Sequence, residues 1–333
     1  MKKCMKSIFT LSLALCFLCS FVISADAVDW VGTDASGLFE TFDEGDLIEY
    51  DYVSKTQRVI PAEEIFNYAA TTTTTYELPS MASELARLSE MEAPQAQPTS
   101  IISPLDFTLS PPFNYGRYQP RSSGTMLLLL GIDEDGDGTT DRFERGTGFM
   151  VSPNVMVTAG HCIIWSNANE TVVEVRVYPF YHGSPRPDKI DEDFIYPSTW
   201  VYSTQYRPGN VHDWCIVTLQ ESIPNAYFYP CSTYNSNIEN AYASVTSYPQ
   251  LNGNEDDCYQ RESIGRILAS QDGILVHNCN TDKGSSGAPI STRDIAFPYV
   301  CVGIHVGDAV ISNIGVRITE TLYNYICNRI ENS

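Results

Sequence analysis

A serine set between glycines, Gly284-Ser285-Ser286-Gly287, with Pro289 closing the turn, has the form a nucleophile loop needs. Glycine admits tight and left-handed turns, so that neighbouring N–H groups can converge on one point. A serine hydroxyl is a weak nucleophile. It needs a base beside it and donors for the oxyanion that forms when it attacks. Two upstream stretches supply the missing groups: Thr158-Ala159-Gly160-His161-Cys162, and His212-Asp213-Trp214-Cys215 running into apolar Ile216-Val217. His161 can take the proton. Asp213 opens an apolar strand, where a carboxylate is costly to bury without a partner, and an imidazole is such a partner. Asp191, Glu192 and Asp193 carry the same charge but lie in a run that reads as a solvated loop. Ser285 competes with Ser286, yet only Ser286 has glycine two positions before and one after. The intervals are 213 − 161 = 52 and 286 − 213 = 73 positions.

The three motifs, in the chain order His, Asp, Ser, resemble the chymotrypsin-like serine proteases. The resemblance covers roughly residues 100 to 333. It implies an all-β fold: two six-stranded antiparallel β-barrels followed by a C-terminal helix. It also implies His161 as general base, Asp213 as its orienting carboxylate and Ser286 as nucleophile, with the N–H groups of Gly284 and Ser286 forming the oxyanion hole. Such an enzyme hydrolyses peptide bonds of protein or peptide substrates through an acyl-enzyme and requires no cofactor for catalysis. The short second interval is similar to that of the compact bacterial branch. Trypsin-like members carry Asp six positions before the nucleophile; here Asn280 stands there. Thr281 follows it, and Gly303-Ile304-His305-Val306-Gly307 lies downstream, a combination that resembles the glutamyl endopeptidases. A hydroxyl and an imidazole can both donate to a substrate carboxylate. Asp308 departs from that pattern, because a second carboxylate would repel an acidic substrate. Asn280 and Thr281 as a neutral pocket remain the competing reading. A third reading, a calcium-dependent binding protein on an inactive protease scaffold, conflicts with an intact His161, Asp213 and Ser286.

The chain has 333 residues and a formal net charge of −21. That balance argues against nucleic acid and anionic membrane surfaces as partners. Lys2, Lys3 and Lys6 precede an apolar stretch from Ile8 to Ile23, and Ala25-Asp26-Ala27 offers small residues at a cleavage site. Residues 1–27 therefore read as a secretory signal peptide, making the product extracellular and free of the membrane once cut. Cys4, Cys16 and Cys19 would leave with it, and seven cysteines would remain. Export permits disulfides, and seven thiols allow 7 × 15 = 105 three-bridge patterns. In the resembling family the cysteine after the catalytic histidine often pairs with one roughly sixteen positions upstream. Arg145-Gly146-Thr147 occupies that neighbourhood, so the usual partner of Cys162 is missing.

Residues 28–99 are acidic, contain the run Thr71 to Thr75 and end in Pro, Ala and Gln. They read as a propeptide and linker, an inhibitory partner of the domain at 100–333, with the mature terminus near Ser100 or Ile101. Beyond them short apolar runs recur between turn residues: Met126–Ile132, Gly148–Val151, Val155–Ala159, Val172–Val177, Cys215–Leu219, Ile264–Leu268 and Val300–His305. Ile318, Leu322, Ile326 and Ile330 then repeat every four residues behind Thr319 and Glu320, the pattern of one helix. Between the first two runs lies Asp133-Glu134-Asp135-Gly136-Asp137-Gly138-Thr139-Thr140-Asp141-Arg142-Phe143-Glu144. Oxygen donors at Asp133, Asp135, Asp137, Thr139, Asp141 and Glu144, with Gly138 sixth, follow calcium-loop spacing. Flanking strands in place of helices make an acidic hairpin tip the alternative. A structural calcium there would stabilise the hairpin and stand apart from the chemistry.

Overall fold

The computed structural model describes residues 45–62, 64, 107–109, 123–164, 170–190, 192–233, 238–293, 298–309 and 312–333. The residues read as a signal peptide, most of those read as a propeptide, and the expected mature terminus lie outside the described residues. So does the boundary at residue 100. The fold is mostly β. Strands β1 (Leu47–Asp51) and β2 (Thr56–Ile60) form an N-terminal hairpin, and β3 (Phe107–Leu109) follows. The first half of the domain holds β4 (Thr125–Asp133), β5 (Arg142–Met150), β6 (Val155–Thr158), β7 (Thr171–Tyr178), β8 (Pro197–Ser203) and β9 (Cys215–Leu219). The second holds β10 (Tyr242–Ser247), β11 (Arg261–Gln271), β12 (Ile274–His277), β13 (Pro289–Arg293), β14 (Pro298–Ala309) and β15 (Ser312–Arg317). Two helices matter here: α1 (Gly160–Ile163) and the terminal α2 (Glu320–Glu331).

The second half closes on itself. Its order β10-β13-β14-β15-β12-β11 returns to β10 through a six-pair antiparallel ladder, Tyr242↔Arg266 to Ser247↔Arg261. The first half runs β7-β4-β5-β6-β9-β8 and curls without a full seam. One bridge, Val177↔Ile195, joins β7 to the residues just before β8. The remaining edge of β8 pairs with β1. Each half thus contributes six strands, one set closed and one a curled half-barrel.

Buried side chains explain why these runs became strands. Leu128, Leu130 and Ile132 of β4, Val155 and Val157 of β6 and Ile216 of β9 share one core, into which Leu322, Ile326 and Ile330 of α2 also pack. Ala243, Val245, Ile267, Leu275, Ile290 and Val302 fill the closed barrel. The four-residue spacing puts the α2 isoleucines on one buried face, and the Thr319 side chain caps the helix by accepting from the Leu322 N–H at 3.3 Å.

All seven described cysteines are thiols, and six are buried. Cys231 and Cys301 face each other across a parallel bridge, and that neighbouring thiol, together with burial, pushes Cys231 well above the usual thiol range. Cys162 lies against Gly146. A Cβ built on Gly146 would stand 3.1 Å from Cys162 Sγ and 3.6 Å from its Cβ. The Cβ separation fits a disulfide, which needs about 3.5–4.5 Å. Gly146→Cys should therefore form a bridge to Cys162 when oxidised and raise the unfolding free energy by about 3 kcal/mol, the value for a loop of similar length. Mass measurement before and after reduction, paired with thermal melts, checks this. A variant that stays fully reduced in oxidised glutathione would contradict the placement.

Candidate active site

Both halves contribute side chains to one site, since Thr147 and Cys162 of the first half bond the Ser286 loop of the second. β6 ends at Thr158, and the chain enters α1 with His161 in its first turn. Asp213 precedes β9 and is completely buried. Its two oxygens are both used on the histidine: Oδ1 accepts the His161 backbone N–H at 2.8 Å, and Oδ2 meets Nδ1 at 2.8 Å. Oδ2 also accepts the Gly209 N–H at 2.5 Å. Such charge-assisted bonds offset the desolvation of the carboxylate. His161 itself is about a quarter exposed, with 26% of its side chain accessible. Burial disfavours its imidazolium, but the Asp213 carboxylate and the Cys162 thiol outweigh that and hold it well above the usual imidazole range. With Nδ1 engaged, Nε2 is the nitrogen left to exchange a proton.

Gly160 has no room for a side chain, since a Cβ there would lie 2.7 Å from the Tyr206 ring and 3.1 Å from Asp213 Oδ1. Tyr206 roofs the pair, and burial followed by the nearby Asp213 charge pushes its phenol far up.

The loop carrying Ser286 precedes β13. Ser285 is buried, pairs with Ser247 Oγ at 3.1 Å and accepts the Asp282 N–H, which makes it a structural residue. Ser286 is partly exposed. Gly284 (φ 93°) and Gly287 (φ 86°) flank it in the left-handed region. A Cβ on Gly287 would come within 2.0 Å of the Thr147 carbonyl, so only glycine fits. Thr147 of β5 grips the loop. Its N–H donates to the Ser286 carbonyl at 2.8 Å and its hydroxyl to the Gly284 carbonyl at 2.7 Å. The Cys162 thiol also reaches the Ser286 carbonyl at 3.6 Å, which brings α1 against the loop. Gly287 N–H donates to the His305 carbonyl at 2.8 Å. Among the described residues the N–H groups of Gly284 and Ser286 meet no acceptor, as groups reserved for an oxyanion would.

The specificity candidates divide. Gly287 and Ala288 are bonded to the main chain of His305, so its strand runs directly behind Ser286. Its ring is buried, with Nδ1 3.3 Å from His277 Nε2. Burial, then His277 and His161, hold His305 well below the usual range, and burial lowers His277 to about 4. Both are neutral at pH 7. Thr281, by contrast, donates its hydroxyl to Asp308 Oδ1 at 3.2 Å. Asn280 is held through its N–H on Ser263 Oγ at 2.5 Å.

The acidic loop spans the β4–β5 turn. Asp133, Asp135 and Asp141 lie together, each offering a ligand atom within 4.8 Å of the others. The rest disperse. Asp137 accepts the Thr139 N–H and hydroxyl, while Glu144 pairs with Arg142 and, at 2.8 Å, with Lys283. Asp133 already accepts N–H groups of Gly138, Gly136 and Asp135, which hold it below the usual carboxylate range. Glu144, at the twelfth position of the calcium-loop spacing, thus already meets two cations, and three of the six donors stand together.

Thr147, Gly209, Tyr206 and His277 had no motif to mark them. His277 ends the apolar run Ile274-Leu275-Val276, a hint available in the sequence.

Comparison with known proteins gives the same direction. Residues 146–296 match the trypsin-like peptidase domain. The chain is 27% identical to the glutamyl endopeptidase of Bacillus licheniformis over 194 residues, 55% of this chain and 58% of the relative. It is also 27% identical to a Bacillus subtilis protein called extracellular metalloprotease, over 188 residues, 54% of this chain and 56% of that one. The chain thus spans a little over half the length of these curated relatives. A solved structure of a Glu endopeptidase in complex with MPD superposes with a TM-score of 0.52 at 17% identity, covering 69% of this chain and 98% of that one.

The pairing of His161 with a buried anion sets a pH expectation. Catalysis by His161 as a base needs the neutral imidazole, so activity should rise with pH through its raised pKa, above the ordinary value of about 6.5. Asp213→Asn removes the anion and should move that acid limb downward while cutting kcat by roughly 10⁴. A kcat/KM–pH profile of both proteins reads it. An unmoved limb would contradict the assignment.

Proposed function

We propose that the protein, whose residues 146–296 match the trypsin-like peptidase domain, is an exported serine endopeptidase that prefers Glu before the scissile bond. The carrying observation is the fully buried Asp213, spent entirely on His161 and Gly209, with the Ser286 turn clamped beside α1. In this reading Ser286 Oγ attacks the carbonyl carbon, and His161 Nε2 takes its proton. The oxyanion is received by the N–H groups of Gly284 and Ser286. His161 returns the proton to the leaving amine, and water then hydrolyses the acyl-enzyme by the same steps in reverse. Residues 1–27 direct export, and residues 28–99 precede the mature domain. No helix among the described residues is long and apolar enough to cross a membrane. The second relative's name points to metal chemistry, but no two of this chain's five histidines (161, 182, 212, 277, 305) stand four positions apart, as a helical zinc-protease motif needs.

Support for Glu comes from His305 directly behind the nucleophile, backed by His277. A neutral His305 gains most from a carboxylate by taking up a proton, since a carboxylate stabilises the charged imidazole. Preference for uncharged residues is the second reading, favoured by the Thr281–Asp308 bond, which removes one donor and leaves a carboxylate near the pocket.

The two readings separate on matched Glu and Gln peptides. For Glu selectivity, the kcat/KM ratio is at least tenfold, a loss typical of leaving a buried polar pocket unpaired. It falls as pH rises, because the His305 proton is lost, and His305→Ala brings it near one. A ratio near one in the wild type supports the neutral pocket. Ser286→Ala should lower turnover of either peptide by several orders of magnitude with unchanged folding.

A further inference from the structure

We infer that the hairpin β1–β2 is a standing component of the folded peptidase: the outer edge of β8 is a docking strand for residues 45–62, which stay bound after the chain between hairpin and domain is cut. The severing step rests on the proposed maturation; the docking does not.

The backbone gives the first argument. β8 pairs with β9 on one side, and its other edge faces the incomplete seam of the half-barrel. β1 fills that edge over five pairs, Leu47↔Ser203 to Asp51↔Thr199. Without it, a row of N–H and C=O groups would be left open for another chain. The side chains give the second. Leu47 and Ile48 are only 4% and 6% exposed, and Leu47 belongs to the same core as Trp214 and Tyr325. Tyr50 stacks on Trp200 of β8 with ring centroids 4.6 Å apart.

Charge gives the third. Glu49 lies between Arg58 at 2.7 Å and Arg329 of α2 at 2.5 Å. Arg329 is only 14% exposed. Removing the hairpin would leave that guanidinium in a largely buried place without its carboxylate, a costly arrangement. The Tyr325 hydroxyl of α2 also donates to the Gly45 carbonyl at 2.9 Å. Hairpin, β8 and α2 therefore lock one another.

The docked segment braces the catalytic pair from behind. The Asp46 carbonyl accepts the Thr204 N–H at 3.2 Å, and the Ser203 carbonyl accepts the Tyr206 N–H at 3.0 Å. Tyr206 covers Gly160, and three residues further Gly209 donates to Asp213. The hairpin's bonds run to β8, Thr204 and α2, on the far side of Asp213 from Ser286 as the chain connects them. Residues 45–62 act in this account as a strap that positions the loop carrying Asp213.

The test uses the full chain with a site for a sequence-specific protease inserted between residues 70 and 90. After cutting, gel filtration under native conditions and mass spectrometry follow the N-terminal fragment, and kcat and KM are measured on a Glu peptide. The expected result is co-elution of fragment and domain, with release only in denaturant and kcat within twofold of the uncut protein. Leu47→Asp should release the fragment on cutting and lower kcat at least tenfold with KM little changed. Should that variant fail to fold, Glu49→Gln supplies the milder case, in which the fragment elutes partly free. Release of the wild-type fragment under native conditions with activity intact overturns the inference. Co-elution in a protein that hydrolyses neither Glu nor Gln peptides upholds the docking and sinks the endopeptidase reading instead.

Discussion

A carboxylate with no access to water is the constraint the rest of this structure answers to. Asp213 is fully buried, and an isolated charge in such a place costs far more than a domain can tolerate. Three N–H groups converge on it: two from His161 and one from Gly209. The backbone bond to His161 fixes where α1 begins, and the ring bond fixes which imidazole nitrogen stays free. Gly160 must be glycine so that Tyr206 can close over the pair and keep water out. Water exclusion strengthens each of those bonds, and the Asp213 carboxylate raises His161 against the opposing effect of burial. The stability problem and the proposed catalytic device are one arrangement.

A second arrangement ties the two halves together. Thr147 is the node. Its N–H and hydroxyl hold the carbonyls of Ser286 and Gly284, its hydroxyl accepts the Tyr248 N–H at 3.1 Å, and its carbonyl accepts the Thr158 hydroxyl at 2.7 Å. Two left-handed glycines and a gripped loop leave the Gly284 and Ser286 N–H groups pointing at neither barrel's main chain. The neighbouring Arg145 adds bonds to the carbonyls of Pro249, Glu255 and Asp257. These are polar links of fixed geometry, which suits a site that must hold reacting groups at hydrogen-bond distance.

The sequence made some of this legible and hid the rest for definite reasons. The triad motifs and the α2 stripe are local: residue type and short spacing carry them, and Ile326 and Leu322 lie where their period puts them. The runs at Met126–Ile132 and Cys215–Leu219 became buried strands because every side chain in them is apolar or small enough to pack. The hairpin at Leu47–Ile60 was obscured by its acids. Asp46, Glu49 and Asp51 give the segment a solvated look, although Glu49 is there to meet Arg329, 280 positions away. In the acidic loop, three of the six donors that the spacing marks, Asp133, Asp135 and Asp141, stand together, and Asp133 and Asp135 also accept N–H groups of the Asp-Gly turns. His277 reaches His305 only because β12 and β14 both pair with β15, a relation no linear spacing encodes. Thr281 and Asp308 meet for the same reason.

The most direct test of the central claim is to treat the active protein with a fluorophosphonate and locate the adduct by peptide mapping. The reagent phosphonylates a serine hydroxyl that a base has activated, expelling fluoride. The account predicts one adduct per chain, on Ser286 and not on buried Ser285, formed far more slowly in Asp213→Asn. An unlabelled Ser286 in a preparation that hydrolyses peptides, or labelling that ignores the loss of Asp213, would contradict it.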